Sequence, residues 1–197
     1  MLPRAPRNGW RDRLTLAWAL PLSVLIILGT ISRFTTAYAA AGDIVIDASD
    51  IPASAIHGAW SVTTDPASPN GTMLATPATG TSVTGAPLAS PTDYVDVTFT
   101  ASAGVPYTFW IRLKAFDNSK WSDSLWVQFS DALLNGSPVY PMNTATGLLV
   151  NLATDSTGSS DVNWGWINGC YWLTQPATVT FATSGTHTQW LAGVPER

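Results

Sequence analysis

Tryptophan is the residue type whose number and placement suggest a binding chemistry in this sequence. The chain has ten Trp residues. Those that follow residue 40 are Trp60, Trp110, Trp121, Trp126, Trp164, Trp166, Trp172 and Trp190. An outward indole offers a flat apolar surface on which the C–H face of a sugar ring stacks, while neighbouring amide, carboxylate and guanidinium groups bond to the sugar hydroxyls. Outward Trp residues therefore predict a carbohydrate-binding surface.

Two central segments, residues 107–115 and 124–129, alternate apolar with aromatic or polar residues. Because alternate side chains of a strand point to opposite faces of its sheet, each segment predicts a half-buried strand. If the two strands pair as a hairpin, their outward faces form one candidate surface, comprising Trp110, Arg112, Trp126 and Gln128. The alternative is that a loop or the N-terminal segment covers these residues as a second small core.

A second candidate surface is the stretch Asn163-Trp-Gly-Trp-Ile-Asn-Gly-Cys-Tyr-Trp172. Glycines between large aromatics fill a core poorly, but they allow a loop to display the rings. Together with the loop Trp121-Ser-Asp123, this stretch predicts a binding rim whose contributors are Trp121, Asp123, Trp164, Trp166, Asn168 and Tyr171. The alternative is that the Trp side chains are plugs that close one end of the fold.

Catalytic and metal-binding signatures are weak by comparison. His57 and His187 are the two histidines, and neither accompanies a nucleophile motif, zinc-ligand spacing or a Gly-rich phosphate loop. A glycosidase needs two carboxylates about 5–10 Å apart, and none of the Asp residues stands in a recognisable context. No cofactor is predicted. Asp43, Asp47 and Asp50 are candidates for a structural calcium ion, or else solvated turn residues.

The N-terminus reads as a hydrophobic signal helix. Four arginines within the first 13 residues precede an apolar stretch, residues 14–31, and Ala37-Tyr-Ala39 offers the small-x-small pattern of a signal-peptidase site. Residues 1–39 are therefore predicted to be a cleaved signal peptide, which implies a secreted or cell-surface protein. The alternative is an uncleaved membrane anchor, which would be the protein's contact with a membrane.

The charge and length of the remaining chain, residues 40–197, restrict its partners and its number of domains. It carries four basic and twelve acidic residues, a net charge of −8, because five of the nine basic residues and one of the thirteen acids lie in the leader. This charge repels phosphate backbones and excludes nucleic acid as a partner. About 158 residues suit one domain, predicted to be monomeric. Cys170 has no partner for an internal disulfide and is predicted to be buried and inert.

Helix-forming residues are sparse after residue 40, whereas Thr, Ser, Ala, Gly and Pro dominate, which favours short strands joined by turns. An all-β fold follows, with antiparallel strands packed as a sandwich. The predicted strands cover residues 43–47, 60–63, 94–99, 107–115, 124–129, 148–152, 171–173 and 177–182, with short edge strands near Met73 and Val83.

Several stretches together resemble the malectin-like and galactose-binding-like carbohydrate-binding modules of bacterial secreted proteins. They are Asp43-Ile-Val-Ile-Asp-Ala-Ser-Asp50, Ala101-Ser-Ala-Gly-Val-Pro-Tyr107, Trp110-Ile-Arg-Leu-Lys-Ala115, Asp123-Ser-Leu-Trp-Val-Gln-Phe-Ser130, Trp164-Gly-Trp166 and Phe181-Ala-Thr-Ser-Gly-Thr-His187. The resemblance implies a jelly-roll sandwich that binds a polysaccharide or another glycan without catalysis. Such modules are often accessories of larger cell-surface or polysaccharide-degrading proteins.

The sequence departs from that family pattern at two points. After Trp166 the family continues with Asp-Asn-Gly and an aromatic residue, but this chain reads Ile167-Asn-Gly-Cys-Tyr171, which lacks the Asp. After Thr188 the pattern stops, as a fragment, frameshift or truncation would cause. A missing final strand would leave exposed sheet edges and a marginally stable domain. Two rival functions stand beside glycan binding: a structural or adhesive surface module, and a small secreted glycoside hydrolase.

Overall fold

Short antiparallel strands make up most of the computed structural model, which describes residues 42–76 and 85–193. Helical structure in these residues is confined to four 3₁₀ turns, Ala48–Asp50, Ala53–Ala55, Pro69–Gly71 and Phe116–Asn118. The predicted all-β class is confirmed. The predicted signal peptide and the predicted strand at Val83 lie outside the described residues. In the described part of the chain, no helix has the length and hydropathy needed to cross a bilayer.

Thirteen strands are present in the described residues. They are β1 (Ile56–His57), β2 (Ser61–Thr64), β3 (Thr72–Ala75), β4 (Tyr94–Ala101), β5 (Tyr107–Thr108), β6 (Ile111–Leu113), β7 (Ser124–Phe129), β8 (Ala132–Leu134), β9 (Ser137–Pro138), β10 (Leu148–Asn151), β11 (Gly165–Ile167), β12 (Thr178–Phe181) and β13 (Gly185–Gly193).

A five-stranded sheet in the order β1-β4-β13-β7-β10 forms the largest unit. A four-stranded sheet has the order β5-β12-β8-β9, and β6–β11 and β2–β3 form two-stranded ribbons. The resemblance to carbohydrate-binding modules ends at Thr188 in the sequence, but β13 continues without a break to Gly193. Its residues 189–193 pair with β7, and Gln189 to Ala192 also pair with β4. This strand therefore lies inside the sheet, where its backbone groups are satisfied on both sides.

The core contains side chains from one face of the five-stranded sheet. The predicted inward residues Val95, Val97, Leu125, Val127 and Phe129 are buried there, together with Leu148, Val150 and Leu191. Val179 and Phe181 of β12 join the same cluster, and Ile111, Leu113 and Ile167 pack against it. Each fully buried aliphatic or aromatic side chain stabilises the fold by roughly 1.5–3 kcal/mol relative to exposure.

The predicted hairpin between residues 107–115 and 124–129 is wrong. Strand β7 has the predicted bounds, but β13 and β10 occupy its two edges, so no edge remains for the preceding segment. That segment is itself divided, because β5 joins β12 and β6 joins β11. Residues 43–47 and 171–173 also form no strands in the structure; a single bridge between Cys170 and Leu173 closes a turn at the second of these places.

Candidate functional site

The β6–β11 ribbon brings parts of both predicted surfaces together. Gly165, Trp166 and Ile167 pair with Leu113, Arg112 and Ile111, respectively. Trp110 and Lys114 directly flank β6, and Trp164 and Asn168 directly flank β11. The surface around the Arg112–Trp166 pair, together with these four flanking residues, is called the ribbon face below.

The ribbon face points outward because the opposite face is held against the core. Ile111, Leu113 and Ile167 pack against the core cluster. Trp166 is 64% exposed and Trp110 is 53% exposed, as the sequence predicted for both. Large apolar side chains displayed in this way on one surface mark a candidate contact for a ligand.

Gly165 has a packing role between the two Trp residues. A Cβ at this position would lie 2.6 Å from Cδ1 of Leu152, a buried side chain. Such a distance is far inside ordinary carbon–carbon contact, which is about 3.5–4.0 Å. The glycine thus lets the ribbon approach the buried Leu152.

Arg112 and Trp164 form the fixed polar part of the ribbon face. The guanidinium carbon of Arg112 lies 4.6 Å from the centre of the Trp164 ring, a cation–π contact. Arg112 also donates a hydrogen bond of 3.0 Å to the carbonyl of Ala67. Trp164 Nε1 donates to Asp65 Oδ2 over 2.8 Å. Both side chains are therefore held in place before any ligand arrives.

Asp65 was not predicted as a functional residue, although its Asp-Pro-Ala-Ser context is typical of a turn. It begins the loop between β2 and β3, where Ala67 N and Ser68 Oγ donate to its carboxylate. Desolvation would raise the pKa of Asp65, but these bonds, the Trp164 indole and the charge of Lys114 together lower it. The loop therefore presents a carboxylate that anchors the Trp164 end of the ribbon face.

Trp126 and Gln128 were predicted to lie on an outward surface, and that placement is wrong. Both are buried. Trp126 lies beside Leu88 and Pro91 of the segment that precedes β4, and the segment that follows β9 covers Gln128. Gln128 Nε2 donates to the carbonyls of Pro141, Thr144 and Thr146. The alternative, in which a covering segment makes a second small core, describes these two residues correctly.

Only some of the residues predicted for the binding rim are exposed. Trp121 is exposed, and the centre of its ring lies 5.0 Å from Lys120 Nζ. Tyr171 is exposed and meets Trp172 edge to face, with 4.5 Å between ring centres. Asp123, however, is buried, so it does not face a ligand on this surface.

Asp123 belongs instead to an interior polar cluster. Its carboxylate accepts hydrogen bonds from Ser124 Oγ and Asn151 Nδ2, both over 2.7 Å, and from Ala153 N over 3.2 Å. Burial raises the pKa of Asp123, and these bonds offset only part of the rise. A buried carboxyl with donors on both oxygens is a structural feature that orders the start of β7 and the end of β10.

Asp161 completes this cluster. It is 0% exposed and lies within hydrogen-bonding reach of Asp123. Burial, together with the negative charges of Asp123 and Asp155, raises the pKa of Asp161 from 3.8 to about 6. No other group donates a hydrogen bond to its carboxylate oxygens, so a proton held on Asp161 would make the bond between the two carboxyls.

The remaining candidates have local roles or contacts. Asp50 Oδ2 accepts a bond from Asp47 N, and Asn70 Nδ2 donates to Asp47 Oδ2, which ties the first 3₁₀ turn to the β2–β3 loop. Across the described residues, no three His, Cys, Asp or Glu side chains converge as metal ligands, so the structure does not assemble Asp43, Asp47 and Asp50 into such a group.

Cys170 is half-buried rather than buried as the sequence predicted. Desolvation raises the pKa of its thiol.

The chain gives no significant match to a protein-family model, a curated protein or a solved structure. The geometry and chemistry of the ribbon face are therefore the basis for assigning a function.

Proposed function

We propose that this protein binds a polysaccharide or another glycan, without catalysis, on the ribbon face. The observation that supports this most directly is the outward Trp166 paired across the ribbon with Arg112. Trp110 directly precedes β6 and Asn168 directly follows β11, so both flank the Ile111–Ile167 end of the ribbon. Indole surfaces and hydroxyl-binding groups thus lie within one patch, which is the combination that sugar recognition requires.

Preorganisation favours this use of the ribbon face. Arg112 is already bonded to Ala67 and stacked on Trp164, so binding would cost little side-chain entropy at this position. The guanidinium has five N–H donors, and the bond to Ala67 occupies one nitrogen. The others are suited to sugar hydroxyls or to a carboxylate of an acidic sugar.

We further propose that the fold is a jelly-roll sandwich and that the protein is exported. Support for the sandwich comes from the shared core, to which the five-stranded sheet and β12 of the four-stranded sheet both contribute. Export rests on the predicted signal peptide. An exported glycan-binding module agrees with the malectin-like resemblance of the sequence.

The test is replacement of each outward indole. Trp166→Ala and Trp110→Ala should each weaken binding to the best ligand in a polysaccharide panel by about tenfold or more, since roughly 1.4 kcal/mol of stacking corresponds to tenfold. Binding is followed by pull-down for insoluble ligands and by Trp fluorescence for soluble ones. Phe116→Ala is the matched control, because Phe116 is as exposed as Trp110 but lies in a separate turn. Full binding by both Trp variants would exclude the ribbon face.

The structural or adhesive rival makes a different prediction for the same variants. If the indoles act as plugs, both substitutions should lower the unfolding temperature and no panel member should bind. The exposed Trp110 and Trp166 rings favour glycan binding over this rival, whereas the tightly held Trp164 fits either function.

The hydrolase rival has little support from the acidic residues. Asp123 and Asp161 form a contacting buried pair, whereas glycosidases place carboxyls about 5–10 Å apart on either side of an accessible sugar. Turnover of a glycoside that is lost on replacing one Asp would be needed to favour hydrolysis.

A further inference from the structure

In residues 42–76 and 85–193, lysine and arginine are confined to one short segment. They are Arg112, Lys114 and Lys120, which lie in β6 and in the turn that follows it. The chain after the leader has twelve acidic and four basic residues, so these cations stand in a large excess of acids. The positive charge of an acidic chain is thus concentrated at and beside the ribbon face.

Within the described residues, none of these cations is paired with a carboxylate. The ion pairs in this part of the chain are His57 with Asp96 and His187 with Asp131. An excess of acids offers many partners, so pairing would be expected if the cations served only to balance charge. The cations of the ribbon face are therefore available to a negative charge that the protein itself does not supply.

Asp65 lies beside the ribbon face, but its oxygens are bonded to other groups. Ala67 N donates to Oδ1, while Ser68 Oγ and Trp164 Nε1 donate to Oδ2. Arg112, on the same Trp164 ring, donates instead to the carbonyl of Ala67. The negative charge of Asp65 thus partly offsets the nearby cations, but it occupies no N–H of the guanidinium.

The position of Arg112 suits a carboxylate at the edge of a stacked sugar ring. Directly paired residues of antiparallel strands have Cβ atoms about 4.5–5.5 Å apart on one side of the sheet, and Arg112 is paired in this way with the exposed Trp166. When the C–H face of a pyranose ring lies on an indole, an equatorial substituent at C5 projects sideways from the ring. A carboxylate at C5 can therefore reach the guanidinium across the ribbon.

We propose that the glycan bound on the ribbon face is acidic and that Arg112 and Lys114 recognise the carboxylate of a uronic acid in it. This inference rests on the proposed function, which it narrows to one substrate class. The planar guanidinium fork matches the two oxygens of a carboxylate, and such charge-assisted bonds are about twice as strong as neutral ones. Lys114 is exposed directly after β6 and adds a second positive charge.

Matched pairs of polysaccharides test the proposal by titration calorimetry with the full chain. The pairs are polygalacturonate with its methyl ester and glucuronoxylan with its carboxyl-reduced form, which keep the backbone and remove the charge. The acidic member of at least one pair should bind about tenfold more tightly than the neutral member. This preference should shrink when NaCl is raised from about 50 mM to about 500 mM. Dextran sulfate against dextran measures the effect of charge without a carboxylate and should give a smaller preference.

Arg112→Gln and Lys114→Gln each remove one charge from the ribbon face. Each should lower the preference for the acidic member by about threefold or more, and should change the affinity for the neutral member less. Lys120→Gln is the matched control, because it makes the same charge change outside the ribbon face, where Nζ donates to the carbonyl of Ser156. It should keep the preference. Lys114 is exposed, so its variant provides the test even if Arg112→Gln fails to fold.

Equal affinity for both members of every pair, or binding of neutral glycans alone, would overturn this inference and leave the proposed function in place. A preference for dextran sulfate as large as that for the uronates would overturn the assignment to a carboxylate. An unchanged preference in the folded variants of Arg112 and Lys114 would overturn the assignment to these residues. Absence of binding to any glycan would overturn the proposed function together with this inference.

Discussion

Single atoms explain why Gly165 and Gly169, two glycines of the Trp-rich stretch, differ in how well they would tolerate a side chain. Gly165 lies against Leu152, whereas a Cβ at Gly169 would meet nothing within 4 Å. The sequence indicated that glycines allow aromatic display here, but it gave no means of distinguishing these two positions. That distinction depends on Leu152, which is distant in sequence and approaches only in the folded chain.

Gly165→Ala should therefore destabilise the protein by about 1–3 kcal/mol, because the added methyl group overpacks the contact with Leu152. Gly169→Ala is the control and should change the free energy of unfolding by less than about 0.5 kcal/mol. Chemical denaturation of both variants measures the difference. Equal stability of the two variants would contradict the packing role of Gly165.

Asp161 should make the free energy of unfolding depend on pH. Its pKa is raised from 3.8 to about 6 in the folded state, so the folded state binds this proton more tightly than the unfolded chain does. The stabilisation is fully present below about pH 4 and is lost as the pH rises through 6, amounting to about 3 kcal/mol. Asp65 and Asp155, whose pKa values are lowered, act in the opposite direction at pH values below about 4.

The check is denaturation between pH 4 and 7, with Asp161→Asn as the reference. The difference in unfolding free energy between the two proteins should shift in favour of Asp161→Asn as the pH rises. A difference that stays constant across this range would show that Asp161 titrates at the same pH in both states.

At the scale of the elements, alternation of side chains predicted strands better than it predicted their neighbours. The segment 124–129 was predicted with the bounds that β7 has, because period-two patterning is a local property. Its partners were not predicted, since β13 and β10 are remote in sequence. The covering of Gln128 by residues 141–146 and of Trp126 by residues 88–93 also depends on contacts outside the strand, which is why these two side chains were misplaced.

In the candidate site, too, the orientation of single side chains was predictable but their contacts with remote segments were not. Outward Trp110, Arg112 and Trp166 followed from alternation and glycine placement, but their meeting on one ribbon required the β6–β11 register. Asp65 joins them from a loop 99 residues before Trp164. No local pattern indicates a contact of that separation.

Strand β10 is an edge of the five-stranded sheet, and the side chain of Gln175 occupies part of that edge. Its Oε1 accepts from Leu149 N over 3.0 Å, and its Nε2 donates to Gly147 O over 2.9 Å. Gln175→Ala should lower stability by about 1 kcal/mol or more, because it leaves these backbone groups unpaired, and it should promote association through the bare edge. Denaturation and light scattering at increasing concentration measure the two effects; an unchanged variant in both would contradict the capping role.

At the scale of the whole molecule, an acidic chain that is predicted to be exported has an all-β fold that displays indoles on one ribbon. The net charge of −8 after the leader favours neutral or cationic glycans over polyanionic ones in general. Arg112 and Lys114 on the ribbon face are the local exception, because they add positive charge where the ligand would bind.

The central claim is that a glycan contacts the ribbon face, and the indole N–H signals in a ¹⁵N NMR titration test it most directly. Each assigned Trp gives a separate Nε1–H signal, so one experiment compares ribbon-face rings with those elsewhere. With a soluble oligosaccharide of the best-bound polysaccharide, the signals of Trp110 and Trp166 should shift, while those of buried Trp126 and of Trp121 stay in place. Shifts confined to Trp121 and Trp172, with Trp110 and Trp166 unchanged, would contradict the claim.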